Sequence, residues 1–131
     1  MTVTARLFAV TVDCPDPAQL ARFYQAFLGG ELRSASGDFV VLTSDDAVRL
    51  DFQHVANHQP PPWPDSSAPR RLHLDFCVEN LAQAEQHLLD LGATLAPHQP
   101  GGRRFRVLID PAGHPFCIAT AAAAEVAEYP N

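Results

Sequence analysis

His73 and Asp75 stand two residues apart in RLHLDFCV, residues 71–78, a stretch that otherwise reads as a strand with one buried face. An imidazole oriented by a carboxylate titrates near neutrality, which suits a general base, and the same pair can anchor a polar ligand. The plainer reading is a buried imidazole satisfied by its neighbour, since a buried polar group needs a partner whether or not it acts. Cys117, in PFCIAT, adds a thiol. With His73 and Asp75 it has the residue types of a thiol-imidazole-carboxylate set, but no spacing fixes that geometry, and a small inert hydrophobe is the simpler role for Cys117. Trp63 in PPPWPD is either an aromatic cover for a ligand or a plug at the end of a core. Arg103, Arg104 and Arg106 in GGRRFR suit an anionic ligand or, more plainly, a solvated hairpin end paired with local acids. His114 fits turn chemistry, and His54 and His58 read as solvated.

The elements that must position these residues repeat. In the first half a strand in ARLFAVTVDC is followed by a helix in PDPAQLARFYQAFLGG, with Asp16 as N-cap, Pro17 at the first helical position and Gly29 and Gly30 at the end. Leu20, Phe23 and Phe27 form its apolar stripe. In the second half RLHLDFCV is the strand and ENLAQAEQHLLDLGA the helix, capped by Asn80, striped by Leu81, Ala84, Leu88 and Leu91 and ended by Gly92. Three short extended runs follow each helix, ELRSA, FVVLTS and VRLDFQHV in the first half and TLAPH, RFRVLID and PFCIAT in the second. Each half is therefore β-α-β-β-β, and the fold class is α+β: two tandem modules forming a curved eight-stranded sheet around a cavity, with helices outside.

Counting back from the caps pairs Ala9 with His73, an offset of 73 − 9 = 64, and the same offset pairs Phe52 with Phe116 and Gln53 with Cys117. Strand alternation sends Phe8, Val10, Val12, Leu72, Leu74, Phe76 and Val78 toward the helices. Ala9, Thr11, Asp13, Asp51, Gln53, His73, Asp75, Cys77, Pro115 and Cys117 then face the other way, where a small-molecule pocket needs its polar groups. The boundaries are one domain over 1–122, with module one at 5–55, a Pro-rich connection at 56–70 and module two at 71–120. An Ala-rich tail over 121–131 is a short helix or a frayed end.

Nine basic against fifteen acidic residues give a net charge of −6, which repels phosphate backbones and anionic lipid, so neither nucleic acid nor membrane is an expected partner. No apolar run approaches a membrane span, and the first residues read as a strand instead of a signal peptide. Cys14, Cys77 and Cys117 are odd in number and lack a CxxC pair, so reduced thiols in the cytoplasm are expected.

The repeated unit, the PDPAQLARFYQAFLGG segment, LHLDFCVENL and DPAGHPF together resemble the glyoxalase/bleomycin-resistance/extradiol-dioxygenase, or vicinal oxygen chelate, superfamily over roughly residues 5 to 120. The WPD loop at Trp63 to Asp65 and the GHPFC run at Gly113 to Cys117 are similar to its small glyoxalase-like members. The resemblance implies four metal-ligand places, two per module, which fall on Ala9, Gln53, His73 and Cys117. Ala9 has no donor atom, Gln53 offers only an amide, and Cys117 stands where a carboxylate is usual. The expectation is therefore no cofactor. The fallback is a divalent ion such as Zn²⁺ on Gln53, His73 and Cys117, or with Asp75 moving in. Two functions stay open. One is a metal-free protein that binds a small organic molecule through Thr11, Gln53, Trp63, His73, Asp75 and Cys117. The other is a lyase or isomerase with His73 as general base oriented by Asp75, with or without a metal. The resemblance also implies a homodimer.

Overall fold

The computed structural model describes residues 6–46, 48–65, 67 and 72–124. Ala5 and Ala47 of the first module, Ser66 and residues 68–70 of the connection, Arg71 of the expected strand and 125–131 of the tail lie outside them. The chain divides into two compact units, 1–58 and 59–131, and each holds one module.

In the first unit the order is β1 (Ala9–Cys14), α1 (Pro17–Leu28), β2 (Glu31–Ser36), β3 (Phe39–Thr43) and β4 (Arg49–His54). The sheet order is β1-β4-β3-β2, with β1 parallel to β4 and the other pairs antiparallel. Asp16 caps α1 by accepting from the Gln19 N–H at 3.1 Å, and Gly29 closes it by donating to the Gln25 carbonyl at 2.7 Å. Leu20 and Phe23 are buried as the stripe requires, while Phe27 is only half-buried. Tyr24, outside the expected stripe, is also buried and stacks on Phe52 of β4 at 5.7 Å, so the α1 face of the sheet is the one carrying Phe52. Gly30 has φ 96, and a Cβ there would lie 2.2 Å from the Thr43 carbonyl oxygen, so only glycine lets the chain turn into β2 at this point.

In the second unit β5 (Leu74–Cys77), α2 (Leu81–Asp90), β6 (Thr94–Leu95), β7 (Phe105–Ile109) and β8 (Pro115–Ala119) repeat the topology as β5-β8-β7-β6. Asn80 caps α2 through the Gln83 N–H at 2.9 Å. Leu88 is fully buried, whereas Leu81, Ala84 and Leu91 are half-buried. Phe76 meets the fully buried Phe116 edge to face at 5.7 Å, and burying a side chain such as Phe116 stabilises the fold by roughly 1.5 to 3 kcal/mol. The Arg106 Nε donates to Glu85 Oε1 at 2.7 Å, tying β7 to α2 and accounting for one of the three clustered arginines as a structural clamp. β6 is only two residues long; just beyond it the Ala96 N–H still donates to the Val107 carbonyl at 3.1 Å, and the Gln99 side chain adds to the pairing there. Its Oε1 accepts from the Val107 N–H at 2.9 Å, while its Nε2 donates to the carbonyls of Val107 at 2.7 Å and Ala96 at 2.8 Å.

The expected eight strands are thus present as two four-stranded sheets, each with its helix, in an α+β fold of two tandem modules. The alternation fails at the strand entries. Phe8 and Leu72, both expected beneath a helix, are exposed, Leu72 by 89%, because β1 begins at Ala9 and β5 at Leu74 and the period of two does not extend beyond the ladder. Phe8 instead lies against the Arg49 guanidinium, 5.0 Å from ring centroid to Cζ. Ala121–Ala124 forms a short helix, α3, at the start of the Ala-rich tail.

The Pro-rich connection docks on the second module. A Cβ on Gly113, which has φ 92 in the turn before β8, would lie 2.4 Å from the Pro60 Cβ, so Pro60 seats directly on that glycine. Asp110 organises the same turn: its buried carboxylate accepts from the N–H groups of Ala112 and His114, both at 2.9 Å, which explains DPAGH as turn chemistry.

Candidate functional site

In the second sheet Arg106 and Ile118 are direct neighbours, and Arg106 reaches α2, so this is the face beneath the helix. Asp75 pairs with Cys117, and Cys117 with Val107, on the opposite face. His73 precedes β5 and reaches the same place: its Nε2 is 3.3 Å from Asp75 Oδ1. The ligating atoms of His73, Asp75 and Cys117 all lie within 4.8 Å of one another. The parallel β5–β8 ladder positions two of them side by side, and a histidine two residues before Asp75 adds the third.

The three differ in environment. Cys117 is buried, at 1% exposure, in an apolar cluster with Ala96, Phe105, Val107 and Ala119. The His73 side chain is 22% exposed and that of Asp75 43%. The His73 Nε2 atom is itself buried and has no hydrogen-bond partner: the Asp75 oxygen is at ion-pair distance but off the hydrogen-bond axis. A buried ring nitrogen in this condition carries an unmet cost of about 1 to 3 kcal/mol, which a proton acceptor, a ligand or an ion would relieve. None of the three cysteines forms a disulfide.

Trp63 packs against the cluster around Cys117, and its ring is 5.5 Å from that of His98. It therefore covers the apolar part of the face that carries the three donors. Asp65, in the same loop, accepts from the Ser67 hydroxyl at 2.7 Å and from the Ser67 N–H at 2.9 Å, and these two bonds, the hydroxyl first, hold its carboxyl below the ordinary 3.8.

Thr11 and Gln53 belong to the first unit. Thr11 is exposed on β1 opposite Asp51, and Gln53 is exposed near the end of β4 opposite Asp13. This register corrects the repeat arithmetic. Asp75 corresponds to Thr11 at the offset of 64; the partner of Asp75 is Cys117, and the partner of Thr11 is Asp51. The last strands are therefore offset by 117 − 51 = 66, and Asp51, not Gln53, is the first-module counterpart of Cys117. Asp51 is buried and already engaged. The Arg49 Nη2 donates to its Oδ2 at 3.1 Å, and Arg49 Nε stands 3.0 Å from Oδ1, close enough for charge pairing though misaligned for a hydrogen bond. The sequence reading did not single out Arg49. Its signal is the RLD spacing on one strand, which puts a cation and a carboxylate on the same face.

The comparisons agree with this architecture. A family model described as "Glyoxalase-like domain" matches residues 9–119. Among solved structures, a glyoxalase/bleomycin resistance protein/dioxygenase family enzyme from Burkholderia phytofirmans PsJN superposes with TM-score 0.67 at 20% identity, covering 88% of this chain and 98% of that one. A glyoxalase/dioxygenase from Nostoc punctiforme gives 0.66 at 22% identity over 92% and 97%. A possible glyoxalase from Bacillus cereus gives 0.66 at 16% identity over 88% and 99%. No curated protein matches the chain. Among the described residues, no helix is long and apolar enough to cross a membrane.

Proposed function

The chain belongs to the glyoxalase-like domain family, within the glyoxalase/bleomycin-resistance/extradiol-dioxygenase superfamily, and on that premise we propose that it binds a small organic molecule without the superfamily's full four-place metal site. The observation that carries this reading is the convergence of His73, Asp75 and Cys117 beside the apolar cluster on which Trp63 packs, since a small ligand needs a few polar anchors next to apolar side chains. The two-per-module metal set does not fit these residues. Ala9 has no donor, Gln53 offers a neutral amide, and Asp51, which the register puts in its place, is neutralised by Arg49. The reading includes a cytoplasmic homodimer, the dimer resting on family membership alone.

Screening by ligand-observed NMR tests it, using small aromatic and oxygen-rich molecules in buffer containing chelator. The expected hits lose binding in both His73→Ala and Trp63→Ala; hits indifferent to both substitutions sink the reading. A second reading, a lyase or isomerase, is favoured by the closeness of Asp75 to the His73 ring. In it Asp75 orients the imidazole and the other ring nitrogen removes the proton. His73→Ala would then abolish turnover of a bound substrate, and unchanged turnover would remove that base.

A further inference from the structure

We propose that the second module alone carries a site for a thiophilic divalent cation, zinc above all, made by His73 Nε2, Asp75 Oδ1 and Cys117 Sγ. Asp75 takes the place that the fallback set gave to Gln53, and this confines the site to one module. The resemblance gives the superfamily's metal places to His73 and Cys117 and to two residues of the first module, and none to Asp75. The ladder register makes Asp75 the direct neighbour of Cys117, and it leaves the first module with an alanine and a carboxylate already occupied by an arginine. Three donors remain, all on one unit, with their ligating atoms within 4.8 Å of one another. Donors around a tetrahedral zinc stand about 3.3 to 3.8 Å apart, given its bond lengths of roughly 2.0 to 2.3 Å. The His73–Asp75 separation of 3.3 Å is already in that range, and binding requires these two partly exposed side chains to turn toward the Cys117 sulfur, which lies within 4.8 Å of both.

The chemistry of the set selects the ion. Imidazole and thiolate prefer zinc over magnesium or calcium, and a single carboxylate is too little for a hard cation. The buried His73 Nε2 has no hydrogen-bond partner, which is the state of a ligating nitrogen without its ion. On binding, the Cys117 thiol gives its proton to water, the S–Zn bond replaces S–H, and the two negative ligands neutralise the cation. Three protein donors leave the fourth position open to water or to an oxygen of a bound molecule. The inference does not depend on the small-molecule reading, whose test is run with chelator present, so the two fail separately.

The test is cobalt titration of the tag-free full chain, read by absorption, followed by displacement with zinc. The expected result is one equivalent of Co²⁺ with visible bands of tetrahedral coordination and a sulfur-to-cobalt charge-transfer band, all abolished by zinc. Asp75→Asn, at a partly exposed position, should weaken binding by about tenfold or more. Cys117→Ser should remove the charge-transfer band, and Cys77→Ser, on an exposed neighbouring thiol, should keep it. Absence of the band in the parent chain overturns the proposal, as does parental affinity in Asp75→Asn, or loss of the band in Cys77→Ser. If Cys117→Ser does not fold, the Asp75→Asn and Cys77→Ser results still decide.

Discussion

The Arg49 guanidinium holds the buried carboxylate of Asp51 from two residues away on the same strand, Nη2 to Oδ2 at 3.1 Å and Nε to Oδ1 at 3.0 Å. In the second module the place of Asp51 is taken by Cys117, and the groups that stand beside it are His73 and Asp75. The two repeated backbones thus carry a partly buried arginine–carboxylate pair in one module and a cluster of imidazole, carboxylate and thiol in the other.

Removing Arg49 strands a buried charge. Because the arginine is 39% exposed, the loss is smaller than for a fully buried pair, and Arg49→Met should cost about 2 kcal/mol in urea unfolding. The double variant Arg49→Met/Asp51→Leu should recover most of it. A double variant no more stable than Arg49→Met would show that the carboxylate is not the source of the cost.

Gly113→Ala combines a disfavoured φ of 92 with a collision against Pro60. It should lower stability by about 1 to 3 kcal/mol and loosen the connection, read as faster proteolysis between residues 59 and 70. Gly29→Ala has φ 77 but open space around the added methyl, so it should cost less; equal costs would argue against the Pro60 contact.

Asn80→Ala removes the acceptor for the Gln83 N–H and should destabilise by about 1 kcal/mol, with Asn80→Ser restoring most of the loss. Thermal unfolding monitored by circular dichroism distinguishes the two.

Asp65 should titrate below 3.8 in an NMR pH series, and Ser67→Ala should raise it, since the Ser67 hydroxyl is the larger of the two causes. A depressed carboxylic pKa contributes stability that is present above the unfolded value and is lost as pH falls through the folded one, so the contribution stands at neutral pH and only its loss falls in acid. A midpoint unchanged by Ser67→Ala would mean that the backbone N–H alone sets the shift.

The caps Asp16 and Asn80, the two-fold repeat and the turn at DPAGH were legible in the sequence because each is a local pattern with a local cause. The β4 register was not. A slip of one residue exchanges the two faces of a strand and shows in its hydrophobic pattern, but a slip of two keeps every side chain on its face and leaves no trace there. Aligning Phe52 with Phe116 therefore looked sound while displacing Asp51 in favour of Gln53. The convergence of His73, Asp75 and Cys117 was visible only as types, since the distance from Asp75 to Cys117 depends on β5 and β8 pairing across an intervening helix and two strands. Trp63 sat in a loop whose docking on the sheet no periodicity encodes.

The Gln99 amide has a consequence at the margin of its sheet. A two-residue β6 would leave the outer rim of β7 with peptide groups open to any passing extended chain, the usual start of runaway strand addition. With the Ala96 N–H on the Val107 carbonyl and the Gln99 amide on both its N–H and its carbonyl, the edge offers a newcomer no free pair of donor and acceptor at Val107. Gln99 thus finishes the edge of the sheet with a side chain whose own backbone never joins a strand.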